Sequence, residues 1–325
     1  MSGRRIGLEV TAAVRQGGGI GRYVRELLRA LAATDTTHQY RLFFAAQRPR
    51  PHRLPSLPGN FSTRSLPFHD IWLARIWHRL QAPIPVELFT GRVDLYHSPD
   101  FTLPPVWPGT PTVLTVHDLS FVRDPDSAAP GLRSYLNTVV PRSVRRATHV
   151  VADSKATLDD LVDLYGTPSE KISVLYAGVG ANFRPIAAAG RRAAVRRRYG
   201  LGDAPFVFSI STLQPRKNYL RLVQAFDAAL RETDFNLVIA GGKGWMYADL
   251  FEEVERRRLQ QRVIFPGFVA DGDLPALYSA ADAMAYPSLY EGFGLPLLEA
   301  MACGTPVLAS TAPCLPEVAG DAALL

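Results

Sequence analysis

The stretch "AMAYPSLYEGFGLPLLEA", residues 283–300, begins as an apolar run and continues through two glycines and two prolines. The glycines and Pro296 disfavour one continuous helix. We therefore predict a strand over "AMAYPS", a loop that carries Glu291, and a helix that begins near Pro296, because proline is favoured at a first helical position. Glu299 is then predicted to lie in the first turn of this helix.

Strand, loop and helix units of this kind recur along the chain. In the first half, apolar or β-branched runs such as "RIGLEV" (5–10) and "TVLTVHD" (112–118) alternate with helix-length amphipathic segments such as "ATLDDLVDLY" (156–165). The pattern restarts with "FVFSIST" (206–212). Such alternation indicates parallel sheets flanked by helices.

The two series are separated by a stretch rich in glycine, alanine, proline and arginine, which begins near residue 180. We interpret it as a domain linker. The predicted fold class is α/β, with two Rossmann-like doubly wound domains at residues 1–184 and 185–325. We expect these domains to face each other across a cleft, because ligands bind at the carboxyl ends of the strands in such sheets.

The composition is that of a folded protein without a disulfide framework. Hydrophobic residues make up 47% of the 325 residues and charged residues 20%, which excludes a disordered chain. The two cysteines, Cys303 and Cys314, show no metal-ligand spacing, as is typical of a reducing compartment. The N-terminus lacks the apolar core of a signal peptide, and no apolar run approaches the roughly 20 residues of a membrane-spanning helix. We therefore expect a cytoplasmic protein.

Basic residues give the chain a net charge of +6, and 32 of the 36 are arginine. Arginine clusters lie within residues 142–146, 191–198 and 256–258. Solvated helix faces are the ordinary interpretation. The alternative is attraction to phosphates or to acidic lipid headgroups, which would bring the protein to the inner face of a membrane. No nucleic-acid-binding motif accompanies the charge, so no nucleic-acid partner is expected.

Backbone amides and two carboxylates make residues 291–299 a candidate ligand site. Unpaired N–H groups beside a helix N-terminus stabilise an anion. They are predicted at Gly292, Phe293, Gly294 and Leu295. Because Glu291 and Glu299 flank these amides, a ligand with both phosphate and hydroxyl groups is indicated, such as a nucleotide sugar. A glutamate in a first helical turn is also favoured without a ligand, so a purely structural role is the alternative.

Arg216 and Lys217 directly follow a predicted strand and precede a predicted helix, in "STLQPRKNYLRLVQAF" (211–226). Adjacent cations at the carboxyl end of a strand are placed to neutralise a diphosphate. Lysine occurs only four times in the chain, so Lys217 is not a consequence of composition. A surface turn with solvated charges is the alternative interpretation.

Two features of the first half give weaker signals. The glycine-rich "RQGGGIGRYVREL" (15–27) follows the first strand and is predicted to open the first helix. It matches neither G-x-G-x-x-G nor the P-loop, and a tight strand-to-helix turn explains it equally well. His117 ends an apolar strand and is a candidate to bind a substrate hydroxyl or relay a proton, with a buried, satisfied histidine as the alternative. His97 is a similar but weaker candidate.

Taken together, these motifs resemble those of the family 4 retaining glycosyltransferases, which have the GT-B fold. The segments that carry the resemblance are "GGGIGRYV", "VHDLSF", "STLQPRKN", "LVIAGG", "FPGFV" and "YPSLYEGFGLPLLEAMACGTPVLAS". They cover nearly the whole chain, and the E-x7-E element with "PRKN" ahead of it is highly specific. Bacterial members that build O-antigen, exopolysaccharide or other glycans, often from mannose donors, are the most similar.

The resemblance implies transfer of a hexose from a GDP- or UDP-linked donor to a glycan or lipid-linked acceptor, with retention at the anomeric carbon and without a divalent metal or other cofactor. It implies that Arg216 and Lys217 bind the donor diphosphate and that Glu299 accepts hydrogen bonds from the nucleotide ribose. Glu291 would lie beside the donor sugar, with the amides of residues 292–295 contacting sugar and phosphate.

From the N-terminal domain, the resemblance implies that Gly18 and Gly19 approach the diphosphate and that His117 contacts the sugar on its O6 side. Family members usually continue past "GDAALL" (320–325) into further helices, so we expect a C-terminal end that is shortened relative to the family. A non-catalytic nucleotide-sugar-binding or scaffold protein with the same fold is the alternative function. A nicotinamide-dependent dehydrogenase or epimerase is excluded, because the fingerprint loop and a suitably placed Tyr-x-x-x-Lys pair are missing.

Overall fold

The computed structural model describes residues 3–46, 54–67 and 69–325. Within these ranges the named strands form two sheets, one of seven strands and one of five. No helix of the described ranges combines the length and the apolar character that crossing a membrane requires.

The chain divides into two compact units, each of which contains one sheet. Unit 1 consists of Met1–Leu119 and Ser134–Ala177, and unit 2 consists of Ser120–Arg133 and Gly178–Leu325. The second segment of unit 2 therefore starts in the glycine- and alanine-rich stretch that follows the last strand of unit 1.

The bounds of the strands follow the apolar runs of the sequence. In unit 1 they are β1 (Arg5–Glu9), β2 (Gln39–Ala45), β3 (Phe61–Leu66), β4 (Leu95–Ser98), β5 (Thr112–Val116), β6 (His149–Ala152) and β7 (Ile172–Val174). In unit 2 they are β8 (Phe206–Ile210), β9 (Asn236–Ala240), β10 (Val263–Gly267), β11 (Ala283–Tyr286) and β12 (Val307–Ala309). The spatial orders are β3-β2-β1-β4-β5-β6-β7 and β10-β9-β8-β11-β12, with parallel pairing throughout.

Helices connect these strands. In chain order they are α1 (Thr11–Arg15), α2 (Gly19–Thr34), α3 (Asp70–Leu73), α4 (Glu87–Thr90), α5 (Ser120–Arg123), α6 (Pro130–Arg146), α7 (Lys155–Tyr165), α8 (Ala189–Arg198), α9 (Tyr219–Leu230), α10 (Ala248–Arg256), α11 (Leu274–Ala280), α12 (Leu295–Ala302) and α13 (Leu315–Ala319). A π-helical turn, Ala74–Arg79, continues directly from α3. Because parallel strands need such crossovers, the observed order is that of two doubly wound sheets.

The core of each unit joins its sheet to the apolar stripe of a helix. In unit 1, Val24 and Leu28, four residues apart on α2, are fully buried in one cluster with Leu8 of β1 and Leu42 of β2. In unit 2, α9 buries its own apolar stripe against β8 and β9 in the same way. The predicted α/β class is therefore confirmed in both units.

Two local predictions are wrong. The glycine-rich loop does not open the first helix, because "TAAVR" forms the short α1 before it and the loop opens α2 instead. Glu299 is not in the first turn of its helix: α12 begins at Leu295, which makes Glu299 its fifth residue. The predicted start of this helix near Pro296 is confirmed.

Strand β3 was not predicted, for a physical reason. Four of its six residues are exposed, and its sequence, "FSTRSL", is largely polar. It is an edge strand that pairs only with β2 in the described sheet. Edge strands do not need the apolar run on which the sequence prediction depended.

Gly294 sets the direction in which the chain enters α12. It caps the helix with a φ of 100°, in the region that favours glycine. A Cβ at this position would lie 2.7 Å from Leu315 Cδ2. The loop after β11 therefore depends on glycine here for both backbone and steric reasons.

We expect Gly294→Ala to lower the free energy of unfolding by about 1–3 kcal/mol, because it adds backbone strain and a steric clash. Urea unfolding followed by circular dichroism measures this change. Gly190→Ala is the matched control, since Gly190 lies in the first turn of α8 and its Cβ would meet nothing within 4 Å. The control should leave the free energy of unfolding unchanged or raise it by less than about 1 kcal/mol. Equal losses in both variants would contradict this account of Gly294.

Candidate functional site

The sheet of unit 2 has a switch point between β8 and β11. These strands are neighbours, and the chain continues from them to opposite sides of the sheet, to β9 and to β12. Ligands of open parallel sheets bind beyond the carboxyl ends of the strands at such a point. The loops located there are residues 211–218 and 287–294. They contain the two predicted cations and Glu291.

Glu291 holds both cations through hydrogen bonds. Arg216 Nη1 donates to Glu291 Oε2 at 3.0 Å and to the carbonyl of Tyr290 at 2.9 Å. Lys217 Nζ donates to Glu291 Oε1, and Ser288 Oγ donates to the same oxygen at 2.6 Å. We call Glu291, Arg216 and Lys217 the ion cluster.

The ion cluster is largely removed from solvent, with side-chain exposures of 17% for Arg216, 8% for Lys217 and 7% for Glu291. Burial by itself would raise the pKa of Glu291, but the charges of Lys217 and Arg216 and the hydrogen bonds from Lys217 and Ser288 lower it to about 2. Glu291 is therefore ionised at neutral pH. The ion cluster thus brings two cations and one ionised carboxylate together at the switch point.

Backbone and side-chain bonds fix the two loops to each other. Leu289 N donates to the carbonyl of Arg216 at 2.8 Å. Asn218 Nδ2 donates to the carbonyl of Pro287 at 3.1 Å, and Asn218 itself has a φ of 57°, which asparagine tolerates better than most residues. The ammonium of Lys217 lies 5.6 Å from the centre of the Tyr286 ring. The cations are thus positioned by the fold of the loops.

Glu299 lies on α12, with 2% of its surface exposed. Its Oε2 accepts a hydrogen bond from Tyr278 Oη at 2.8 Å. Between Glu291 and α12, Cys314 Sγ donates to the carbonyls of Glu291 and Phe293 at 3.1 and 3.3 Å. These carbonyls are therefore held on the Cys314 side of the turn formed by Gly292, Phe293, Gly294 and Leu295.

In unit 1, the glycine loop lies between α1 and α2. Gly18 caps α2 in an extended conformation, and Gly19 has a φ of 26°. A Cβ at either glycine would meet nothing within 4 Å. Arg25 secures the base of the loop by donating to the carbonyls of Ala13 and Gln16 at 3.0 and 2.8 Å. Gly18 and Gly19 are exposed, and the space around them is open.

His117 directly follows β5 and is 8% exposed. Its Nδ1 lies 2.6 Å from Asp153 Oδ2, and its Nε2 lies 3.1 Å from the carbonyl oxygen of Pro99. The rings of Tyr23 and Phe101 meet the imidazole edge to face, at centroid distances of 4.9 and 5.6 Å. The ring is therefore fixed on all sides.

Both nitrogens of His117 face acceptors, since a carboxylate and a carbonyl cannot donate. Both nitrogens then carry protons, and the ring is an imidazolium. Burial by itself would lower the pKa of His117, but the charge and hydrogen bond of Asp153, the charge of Asp100 and the bond to Pro99 raise it to about 9. As a cation at neutral pH, His117 donates hydrogen bonds through both nitrogens.

Further acidic groups lie at the same carboxyl edge. Glu9 ends β1, and Asp100 follows the neighbouring β4. Burial raises the pKa of Asp100, and burial together with the charge of Asp100 raises the pKa of Glu9 to about 7. His97, whose Nε2 lies 2.9 Å from Thr115 Oγ1, has its pKa lowered to about 4 by burial and by the charge of His117. His97 is half-buried, and its Nε2 contact with Thr115 is a structural one.

Sequence reasoning missed Asp153, Ser288 and Tyr278. Asp153 directly follows β6, and a carboxylate at the carboxyl end of an apolar strand was a usable signal. Ser288 and Tyr278 had no comparable signal, because their partners are known only from the fold. Within the part of the chain that the structure describes, no three His, Cys, Asp or Glu side chains are grouped so that they could hold a metal ion.

The predicted residues thus form two groups, one in each unit. The ion cluster, Glu299 and the turn at residues 292–295 belong to unit 2. Gly18, Gly19 and His117 belong to unit 1, where they lie at the carboxyl edge of the sheet. Their roles toward a ligand stay predictions.

Asp153→Asn should lower the titration midpoint of His117 from about 9, because burial is then opposed only by the charge of Asp100 and the bond to Pro99. NMR titration of labelled histidine measures the midpoint. In the wild type, the stability contributed by the pair is complete below pH 6.5 and is lost as the pH rises through about 9. Asp249→Asn, the same change on the exposed surface of α10, is the control. An unchanged midpoint in Asp153→Asn would contradict the imidazolium assignment.

Comparison with family models identifies both halves of the chain. The model described as glycosyltransferase family 4 matches residues 17–183, and the model described as glycosyl transferases group 1 matches residues 192–324. Together the two matches include every residue of the two predicted site groups.

Among curated proteins, the O-antigen chain mannosyltransferase B of Escherichia coli is 33% identical over 319 residues, which is 94% of this chain and 82% of the relative. The serotype-specific mannosyltransferase WbdA of Escherichia coli is 32% identical over 249 residues, but this match spans only 29% of that protein. The crystal structure of Anabaena Alr3699/HepE in complex with UDP and glucose superposes with a TM-score of 0.70 at 21% identity, over 97% of this chain and 82% of the other. The last likeness confirms the GT-B fold class.

Proposed function

This chain belongs to glycosyltransferase family 4, and we propose that it transfers a hexose, with mannose as the first candidate, from a nucleotide diphosphate sugar to a glycan or lipid-linked acceptor. Two findings support mannose: the mannosyltransferase relative that matches 94% of this chain and the second mannosyltransferase relative that matches 72% of it. The proposal includes both GDP- and UDP-linked donors. The UDP-linked donor is included because the structural relative Alr3699/HepE was crystallised with UDP.

The ion cluster carries the proposal. Arg216 and Lys217 lie at the switch point of the unit 2 sheet, and Glu291 holds both in place. A diphosphate needs adjacent cations that are positioned before it arrives. We assign the donor diphosphate to these two residues.

We assign further contacts with the donor to the other predicted residues. Glu299 accepts hydrogen bonds from the nucleotide ribose, and Glu291 lies beside the donor sugar. The amides of residues 292–295 contact the sugar and the phosphate. The open space around Gly18 and Gly19 suits a close approach of their amides to the diphosphate.

The reaction breaks the bond between the anomeric carbon and the diphosphate oxygen. The electron pair stays with the diphosphate, where Arg216 and Lys217 stabilise the new negative charge. Positive charge develops on the sugar ring, and the ionised Glu291 is the carboxylate that offsets it. The acceptor hydroxyl attacks from the face that the diphosphate leaves and gives its proton to the leaving phosphate, so that the anomeric configuration is retained. No divalent metal takes part in this proposal.

His117 acts as a hydrogen-bond donor in this scheme. Its imidazolium state excludes the role of general base at neutral pH, and one of its N–H groups is occupied by Asp153. We assign the sugar contact to the Nε2–H, which would be shared between the carbonyl of Pro99 and a sugar oxygen. This assignment supports the predicted contact with the O6 side of the sugar.

The direct test is a transfer assay with GDP-mannose, UDP-glucose and UDP-galactose, using lipid-linked mannosides as acceptors. We expect one donor to be used, and we expect NMR of the product to show the anomeric configuration of the donor. Glu299→Ala should raise the donor KM by roughly 10- to 100-fold, because it removes hydrogen bonds to a buried charged group. Asp249→Asn is the control.

Two results would count against the proposal. Nucleotide binding without transfer to any acceptor would favour the non-catalytic alternative. Transfer with inversion would exclude the retaining mechanism, although it would leave the transferase assignment in place.

A further inference from the structure

A cavity lined by arginine and aromatic side chains lies in unit 1. Its volume is about 440 Å³, within the range of small-ligand pockets. Trp77, His78 and Gln81 line one side, and Arg142, Arg145 and Arg146 line the other. We call it the arginine pocket.

The backbone of the first wall is unusual. Trp77 and His78 belong to the π-helical turn Ala74–Arg79, and Gln81 has a φ of 52°. Rare backbone conformations of this kind concentrate at functional sites. The indole of Trp77 and the imidazole of His78 both line the cavity. The His78 ring lies 6.5 Å from the ring of Tyr135.

The second wall supplies positive charge. The three arginines lie on the last turns of α6, and no Asp or Glu is among the described residues that line the cavity. Arg146 is fixed by donating to the carbonyls of Leu103 and Pro104 at 3.1 and 2.9 Å. Burial and the charge of Arg146 lower the pKa of His78 to about 4, so His78 is neutral near pH 7. The pocket is therefore cationic and has room for an anion.

The arginine pocket is distinct from the carboxyl edge where His117 lies. Helix α6 ends at Arg146, three residues before β6 begins at His149, which places these arginines at the amino edge of the sheet. His117 and Asp153 follow the ends of β5 and β6, at the opposite edge. An anion in the pocket would therefore not occupy the proposed donor site.

Exposed apolar side chains continue from the pocket wall. Leu80 directly precedes Gln81 and is 74% exposed, and Trp72, on the helix that leads into the π-helical turn, is 56% exposed. Ile71 and Leu88 are 50% and 62% exposed. An indole beside aliphatic side chains and arginines is the combination found where proteins enter the headgroup region of a bilayer.

We propose that the arginine pocket binds the phosphate group of an anionic lipid headgroup, with Trp72 and Leu80 entering the bilayer surface beside it. Arginine forms paired hydrogen bonds with phosphate oxygens, and the cavity is large enough for one headgroup. A free phosphate compound would satisfy the arginines but would leave the apolar side chains exposed. The proposal does not rest on sugar transfer.

Co-sedimentation with vesicles tests this binding. One set of vesicles is phosphatidylcholine alone, and the other contains about one third phosphatidylglycerol. We expect the full chain to prefer the anionic vesicles. Arg142→Ala/Arg145→Ala should weaken that binding on the order of 30-fold, from about 1 kcal/mol for each arginine near the membrane surface. Arg146 is kept, because its carbonyl contacts support the local fold.

The matched control is Arg192→Ala/Arg197→Ala on α8, which removes the same charge from unit 2. It should change the binding only a few-fold, since it alters net charge alone. Trp72→Ala keeps all charges and should also weaken binding, which keeps the proposal testable if the arginine variant does not fold. Thermal unfolding verifies the fold of each variant.

Three results would overturn the proposal. The wild type could show no preference for anionic vesicles, or the two double variants could lose binding equally, which would indicate diffuse attraction. In the third result, Trp72→Ala would bind the anionic vesicles as tightly as the wild type, while inorganic phosphate at constant ionic strength would release both proteins. This combination would assign the pocket to a free phosphate compound and not to a lipid.

Discussion

The local structure of unit 2 depends on the hydrogen bonds that Glu291 forms with Arg216 and Lys217. Removing one partner of a buried ion pair leaves the other charge unsatisfied and costs about 3–5 kcal/mol. The loops after β8 and β11 are therefore tied together where the sheet has its switch point. The same constraint positions both cations at the place where ligands of parallel sheets bind.

Unit 1 has a buried ion pair of a different kind. Asp153 holds His117 as an imidazolium, and the carbonyl of Pro99 occupies the second nitrogen. Both units thus keep a charged side chain at the carboxyl edge of a parallel sheet, and in both the charge is fixed by a carboxylate. Groups fixed in this way need little reorganisation when a substrate develops charge.

Much of the fold followed from the alternation of apolar runs and amphipathic segments, because strands buried in a parallel sheet must be apolar along their length. The polar edge strand β3 lacked this signal, and the extra turn of α1 was too short to show one. The position of Glu299 in α12 was predicted wrongly. The helix begins at Leu295, directly after Gly294, and the left-handed conformation of Gly294 cannot be predicted from residue type alone.

The candidate site was more predictable than its geometry. Arg216, Lys217 and Glu291 could be named because their residue types follow strand ends within specific motifs. Their contact could not be predicted, because Lys217 and Glu291 are 74 positions apart in the sequence and only the strand order brings them together. Asp153 was missed for the same reason: it acts on His117 from a neighbouring strand.

The central claim is that Lys217 and Arg216 bind the diphosphate of the donor. Calorimetric titration of a nucleoside diphosphate and its monophosphate into the wild type and Lys217→Met tests it most directly, with Lys243→Met as the control and GDP and UDP tried in parallel. The account predicts that the wild type prefers the diphosphate by roughly 10- to 100-fold and that Lys217→Met loses most of this preference, because a charge-assisted hydrogen bond to the second phosphate is removed. An equal preference in wild type and Lys217→Met would contradict the account.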